Sequence, residues 1–198
     1  SEDIRIAAAY ALGLLPFDDS RKALLEIIAE TRDERVKAEA LNSLGYIGTS
    51  ENLETVAGYK FDSEVLQTAQ ALSIARFGRR NIRSESGVRK LIELAGSNNE
   101  STSRAAAYAF ANTRNRDLLT NAKDAINSLM VSSNADTRMW AFLANGYVSS
   151  DVKSLMNAYE KENVWQVKTN ILNSFQTINR FVPETSGNKE LAFFLVNK

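Results

Sequence analysis

Ile6-Ala-Ala-Ala-Tyr-Ala-Leu-Gly13 and Arg104-Ala-Ala-Ala-Tyr-Ala-Phe-Ala111 are nearly the same segment written twice. Between them, Val36-Lys-Ala-Glu-Ala-Leu-Asn-Ser-Leu-Gly-Tyr-Ile-Gly48 repeats the same apolar spacing. Six copies align on Ile4, Val36, Leu66, Thr102, Thr137 and Val167, at separations of 32, 30, 36, 35 and 30 residues, a mean of about 33. Periods of this length belong to stacked helix pairs, in which no single pair can bury its apolar face alone.

The aligned columns carry physical meaning. One reads Ala11, Ser43, Ser73, Ala109, Ala144, Ser174, and is small throughout. A second reads Gly13, Gly45, Ala75, Ala111, Gly146, Gln176, small in all but the last copy. Between them stand Leu12, Leu44, Ile74, Phe110 and Phe175, with Asn145 as the exception. Ala8, Ala40, Ala106, Ala141 and Ile171 lie one turn earlier. Spacings of three and four residues put these columns on one helical face. Small residues beside large ones let neighbouring helices approach while the large side chains fill the groove.

Asp3, Asp33, Glu34, Glu64, Glu100 and Asp136 stand near the copy starts, with Asn163 in the sixth, and suit the positive end of a helix. A second helix follows in each copy, as in Leu24/Ile27/Ile28, Val88/Leu91/Ile92, Ala122/Ile126/Leu129 and Val152/Leu155/Met156. Breakers at Pro16, Gly48, Gly78 to Ser86 and Pro183 to Gly187 are expected to form the loops. No strand pattern is found. The expected fold is all-α, an α-solenoid, with copies spanning 1–32, 33–62, 63–98, 99–133, 134–162 and 163–198 as one array.

Asp33-Glu-Arg-Val-Lys-Ala-Glu-Ala-Leu-Asn-Ser-Leu-Gly-Tyr-Ile-Gly48 resembles a HEAT repeat, and more narrowly the short bacterial HEAT-like type found also in bilin lyases. The family's first helix runs acid, Val-Arg, then Ala-x-x-Ala-Leu-Gly-x-Ile-Gly. Asp3-Ile-Arg-Ile with Ala11-Leu-Gly13 fits it, as does Asp136-Thr-Arg138 with Gly146. The third and sixth copies lack the Gly and rest on spacing alone. The resemblance implies a right-handed superhelix of about six helix pairs that acts as a protein-interaction scaffold rather than an enzyme. Its less common associations are with cyclophilin-type prolyl isomerase domains and with all-HEAT DNA glycosylases.

Composition narrows the chemistry. The 198 residues include no Cys and no His, so disulfides, thiolate or imidazole metal sites, cysteine nucleophiles and His-based triads are excluded. Only 2 Pro and 9 Gly are present, which fits long elements joined by short turns. Lys and Arg total 24 and so do Asp and Glu, so the whole molecule exerts no general pull on a polyanion. No cofactor motif is found. Asp18-Asp19 and the pair Glu160 and Glu162 lack a second motif that would make an acid–base or metal site.

Three candidate features remain. Arg76, Arg79, Arg80, Arg83, Arg89 and Lys90 concentrate bases in the third copy, either as a ridge for phosphate or acidic groups or as a solvated loop and helix face. Trp140 and Trp165, in the first helices of adjacent copies, suit either a stacking platform or inter-repeat packing, and Tyr10 and Tyr108 share a packing column. Arg5, Lys37, Arg138 and Lys168 repeat in one column, which suits either a ridge for an anionic partner or, as expected here, pairing with acids near the helix starts. The expected binding surface is that of the second helices, with Arg21, Lys22, Glu26, Arg89, Lys90, Glu93, Lys123, Asp124, Lys153 and Asn157 facing solvent and a protein or peptide as partner.

The longest apolar stretch, Ile6 to Leu15, is too short to span a bilayer, and no targeting segment is found, so the compartment stays open. The first helix has an apolar-rich face, and Leu191-Ala-Phe-Phe-Leu-Val196 is apolar on more than one side. Terminal repeats need a polar outer surface. The array is therefore expected to continue into further repeats or domains of a parent protein.

Overall fold

The computed structural model describes residues 1–181 together with Phe193, Phe194 and Val196. These residues form helices joined by short loops, with no strand among them. First helices are α1 (Glu2–Leu12), α3 (Glu34–Ile47), α5 (Glu64–Arg79), α7 (Glu100–Thr113), α10 (Ala135–Val148) and α12 (Trp165–Phe181). Second helices are α2 (Asp18–Glu30), α4 (Ser50–Gly58), α6 (Glu85–Ala95) and α11 (Val152–Lys161). After α7 the second position is broken into α8 (Arg116–Leu119), a 3-10 turn over Thr120–Ala122, and α9 (Lys123–Met130). The result is an all-α solenoid.

The first helices pack side by side through their small columns. A Cβ placed on Gly45 would lie 2.9 Å from the Ser73 carbonyl oxygen of α5, and one on Gly146 3.0 Å from Ser174 Cα of α12. No side chain fits between backbones that close. Serines of the other small column turn the same approach into bonds: Ser73 Oγ donates to the Leu41 carbonyl at 2.7 Å, and Ser174 Oγ to that of Phe142. The large column fills what remains, so Leu44, Ile74, Phe110 and Phe175 are all buried.

One expected loop moves. Gly78 lies inside α5, where a Cβ would come within 2.9 Å of the Asn112 carbonyl oxygen of α7, and Ser86 lies inside α6. The glycine serves helix–helix approach, and the turn itself is confined to residues 80–84. The expected loop from Pro183 to Gly187 lies outside the described residues.

The helix starts carry a repeated clasp. Asn99 caps α7, its Oδ1 accepting from the Thr102 N–H at 2.9 Å while its Nδ2 donates to Glu64 of α5 at 2.7 Å. Asn134 does the same for α10, reaching back to Glu100 of α7 at 2.8 Å. Ser63 likewise donates to Glu34 at 2.9 Å. First-turn acids thus serve the positive end of their own helix and also accept from the next repeat.

Candidate binding surfaces

The arginine cluster does not form one ridge. Arg76 donates to Asn42 Oδ1 at 2.9 Å and lies over the Tyr46 ring, 4.8 Å from its centroid. Arg80 donates to the Gly48 carbonyl at 2.8 Å and the Gly45 carbonyl at 3.3 Å. Arg21 reaches the Ile47 carbonyl at 3.3 Å, so two guanidiniums converge on the C-terminal end of α3. That end carries partial negative charge and no basic residue of its own. Burial, and behind it the Arg21 charge, pull the Arg80 group below its ordinary pKa.

The other members are dispersed. Arg79 meets the Tyr108 hydroxyl at 3.4 Å, Arg83 bonds Asn81 at 2.6 Å, and Arg89 pairs with Glu85 along α6. Lys90, expected in solvent, is 8% exposed at its side chain and paired with Glu93 at 2.7 Å. Arg21, also expected in solvent, is held at 18% by its carbonyl partners and Asp18. Arg21 departs from the expectation because packing brings the Ile47 carbonyl to it, while Lys90 is buried beside a partner one turn along its own helix.

The two tryptophans are not joined. Trp140 lies in the second turn of α10 and meets Tyr108 of α7 edge to face, with centroids 4.9 Å apart. Trp165 opens α12 and is 70% exposed. Of the basic column, Arg5 pairs with Asp33 at 3.0 Å, and Lys168 lies over the Tyr159 ring. Arg138 makes a forked pair with Glu162 at 2.8 and 3.0 Å, and also donates to the Ser132 and Ser133 carbonyls. Glu162 is thus a structural acceptor. Its carboxyl is held below the usual range by the Arg138 bond first and by the Val164 and Asn163 N–H groups. Among the described residues, no group of three or more carboxylates is arranged to hold a metal ion.

Sequence reasoning missed a cleft. Between α9 and α11 lies a space of about 740 Å³, within the usual size range of ligand sites. Its walls carry Lys123, Asn127, Met130 and Val131 on one side and Ser154, Asn157, Ala158 and Lys161 on the other. The floor is Phe142, Leu155 and Asn145. Asn145 is the residue that breaks the large apolar column. It is 2% exposed, its Nδ2 donates to Asn127 Oδ1 at 3.2 Å, and its own Oδ1 has no partner. The signal for this site was therefore in the sequence, as an exception in a column, but its meaning needed the neighbouring helices.

An orphaned buried acceptor costs about 1–3 kcal/mol. Asn145→Leu restores the column residue, while the exposed Asn127 turns to water. The variant is expected to unfold at a higher temperature than the parent, by an amount matching roughly 1–2 kcal/mol. A thermal melt followed by circular dichroism checks this; a lower melting temperature would show that Asn145 is paired in solution.

Residues 1–74, from α1 into α5, match a family model described as HEAT repeats. That N-terminal part of the chain is of the HEAT-repeat type. No curated protein matches its sequence. Among solved structures, the crystal structure of an engineered protein is similar over 91% of this chain and 92% of that one, with a TM-score of 0.65 and 17% identity. At that identity the likeness concerns fold alone. No helix among the described residues is long and apolar enough to cross a membrane.

Proposed function

We propose that this HEAT array is a non-catalytic scaffold that binds a protein or peptide through the layer of its second helices. The observation that carries the reading is the contrast between the layers. First helices are sealed against one another by backbone approach at Gly45, Gly78 and Gly146. The second layer is open between α9 and α11, and there the array places an unpartnered amide oxygen and two lysines. The array is read as one unit of about six helix pairs, with further domains of a parent protein as the natural setting of such a scaffold.

The rival of a different kind is a nucleic-acid binder or HEAT-type DNA glycosylase. It would need a continuous basic surface. Arg76, Arg80, Arg83, Arg89 and Lys90 are engaged with carbonyls, amides and acids of the fold itself, which favours the scaffold. A salt titration of duplex DNA binding separates the two. The expected result is weak association with a shallow salt slope; micromolar affinity falling steeply with salt would overturn the scaffold reading. A purely rigid spacer would bind no peptide at all.

A further inference from the structure

Resting on that reading, we infer that the cleft between α9 and α11 is a peptide site, and that its ligand is an extended, acidic segment with an apolar side chain. Lys123 and Lys161 stand on opposite walls, both exposed, and neither has an ion-pair partner among the described residues. Arg21, Arg80 and Arg138, by contrast, are engaged by carbonyls and carboxylates of the fold itself. Asp151 is the acid lining the cleft, and it is occupied as the cap of α11, accepting from the Ser154 N–H at 3.0 Å. Two lysines against this one aspartate leave the lining net positive, which favours carboxylates.

The apolar requirement comes from the wall beside Lys123. Val131 is 83% exposed and Met130 half-buried, above a floor of Phe142 and Leu155. A leucine-sized side chain laid there buries Val131 and extends the apolar floor. The preference for an extended main chain comes from the amides. A side-chain carboxamide carries N–H donors and a carbonyl acceptor side by side, so it can pair with both the C=O and the N–H of an extended main chain. Asn127 is exposed on α9 and accepts from the Asn145 Nδ2, so in the bound state a swing of its side chain outward breaks that bond, a peptide carbonyl takes its place on Nδ2, and a peptide N–H reaches the unpartnered Oδ1. Binding then supplies the hydrogen bond that the free array lacks.

The test is fluorescence anisotropy on the full chain with a labelled peptide alternating Asp and Leu, against a counterpart in which Lys replaces every Asp. The acidic peptide is expected to bind at least about tenfold more tightly. The double variant Lys123→Glu with Lys161→Glu, both at exposed positions, is expected to reverse that preference. Asn145→Leu is expected to weaken the acidic peptide about tenfold while keeping the helical spectrum, as loss of one buried hydrogen bond requires. Equal binding of the two peptides, or an acidic preference that survives the charge reversal, would overturn the site. A displayed peptide library selected on the same chain distinguishes the levels of failure. Selected peptides that bind the two variants as well as the parent would sink the cleft and leave the scaffold standing; a library that yields no binder would sink both.

Discussion

Gly45→Val is expected to cost about 3 kcal/mol and to lower the melting temperature by roughly 6–12 °C. The reason is geometric. The new Cβ would sit 2.9 Å from the Ser73 carbonyl oxygen and 3.1 Å from Ser73 Cα, both backbone atoms of α5 that cannot rotate away. The two helices must separate, and the bond from Ser73 Oγ to the Leu41 carbonyl lengthens with them. Nothing lies within 4 Å of a Cβ at Gly58, the last residue of α4, so Gly58→Ala serves as the control and is expected to leave stability unchanged or slightly raised. In a stacked array the damage spreads to neighbours through lost interfaces rather than staying in one repeat. Chemical denaturation of both variants checks the pair; equal midpoints would mean that α3 and α5 do not touch as described.

Arg138→Met is expected to cost about 3–5 kcal/mol at neutral pH, because it leaves Glu162 charged, 10% exposed and without its forked partner. The Ser132 and Ser133 carbonyls lose their donor at the same time. The defect has a pH signature. In the parent, the folded-state pKa of Glu162 lies below its unfolded value, so the pair's contribution is fully present above the unfolded carboxylate value of about 4.3. It is lost as pH falls through the folded value. In the variant, acid protonates an unpaired carboxylate and relieves it. The stability gap between parent and variant is therefore expected to narrow as pH drops below about 4, measured by urea denaturation across the acid range. A gap independent of pH would assign the loss to packing of the arginine stem. Replacing both partners with apolar residues is expected to recover much of the loss, since the uncompensated charge goes with them.

The fold was legible because helix stacking writes itself into spacing. Ala11, Ser43, Ser73, Ala109, Ala144 and Ser174 recur at the period of the repeat, and only close helix packing asks for small residues there. Gly78 was misread because glycine serves two ends, turning a chain and admitting a neighbouring backbone, and the sequence does not say which. Arg21 and Lys90 carry charges, and charge on a helix face ordinarily means solvent. Arg21 is drawn in by a carbonyl that the packed fold delivers, that of Ile47 across 26 residues, and Lys90 is covered by neighbours although its acid, Glu93, is one turn away on the same helix. The caps Asn99 and Asn134 had a readable signal, a serine two residues earlier whose hydroxyl accepts the asparagine N–H, as in Ser97 and Ser132. That pattern was overshadowed by the acids that follow.

The proposed binding surface was legible only in part. The second helices were expected to carry it, and Lys123 and Asn157 do line the cleft. The arginine cluster drew attention by composition, yet composition does not reveal that a helix end will draw in Arg80 and Arg21. Asn145 was visible as a polar residue in an apolar column. That it lies beneath a gap between α9 and α11 follows from the broken second helix before it, where α8 and a 3-10 turn stand in place of one continuous helix.

The most direct measurement is an amide NMR titration of the full chain with the alternating Asp-Leu peptide. The account predicts shifts concentrated in α9, the C-terminal half of α10 around Asn145, and α11, with the side-chain amides of Asn127 and Asn145 among the most perturbed. Shifts centred instead on the residues from Arg76 to Lys90, or spread evenly over the array, would contradict it.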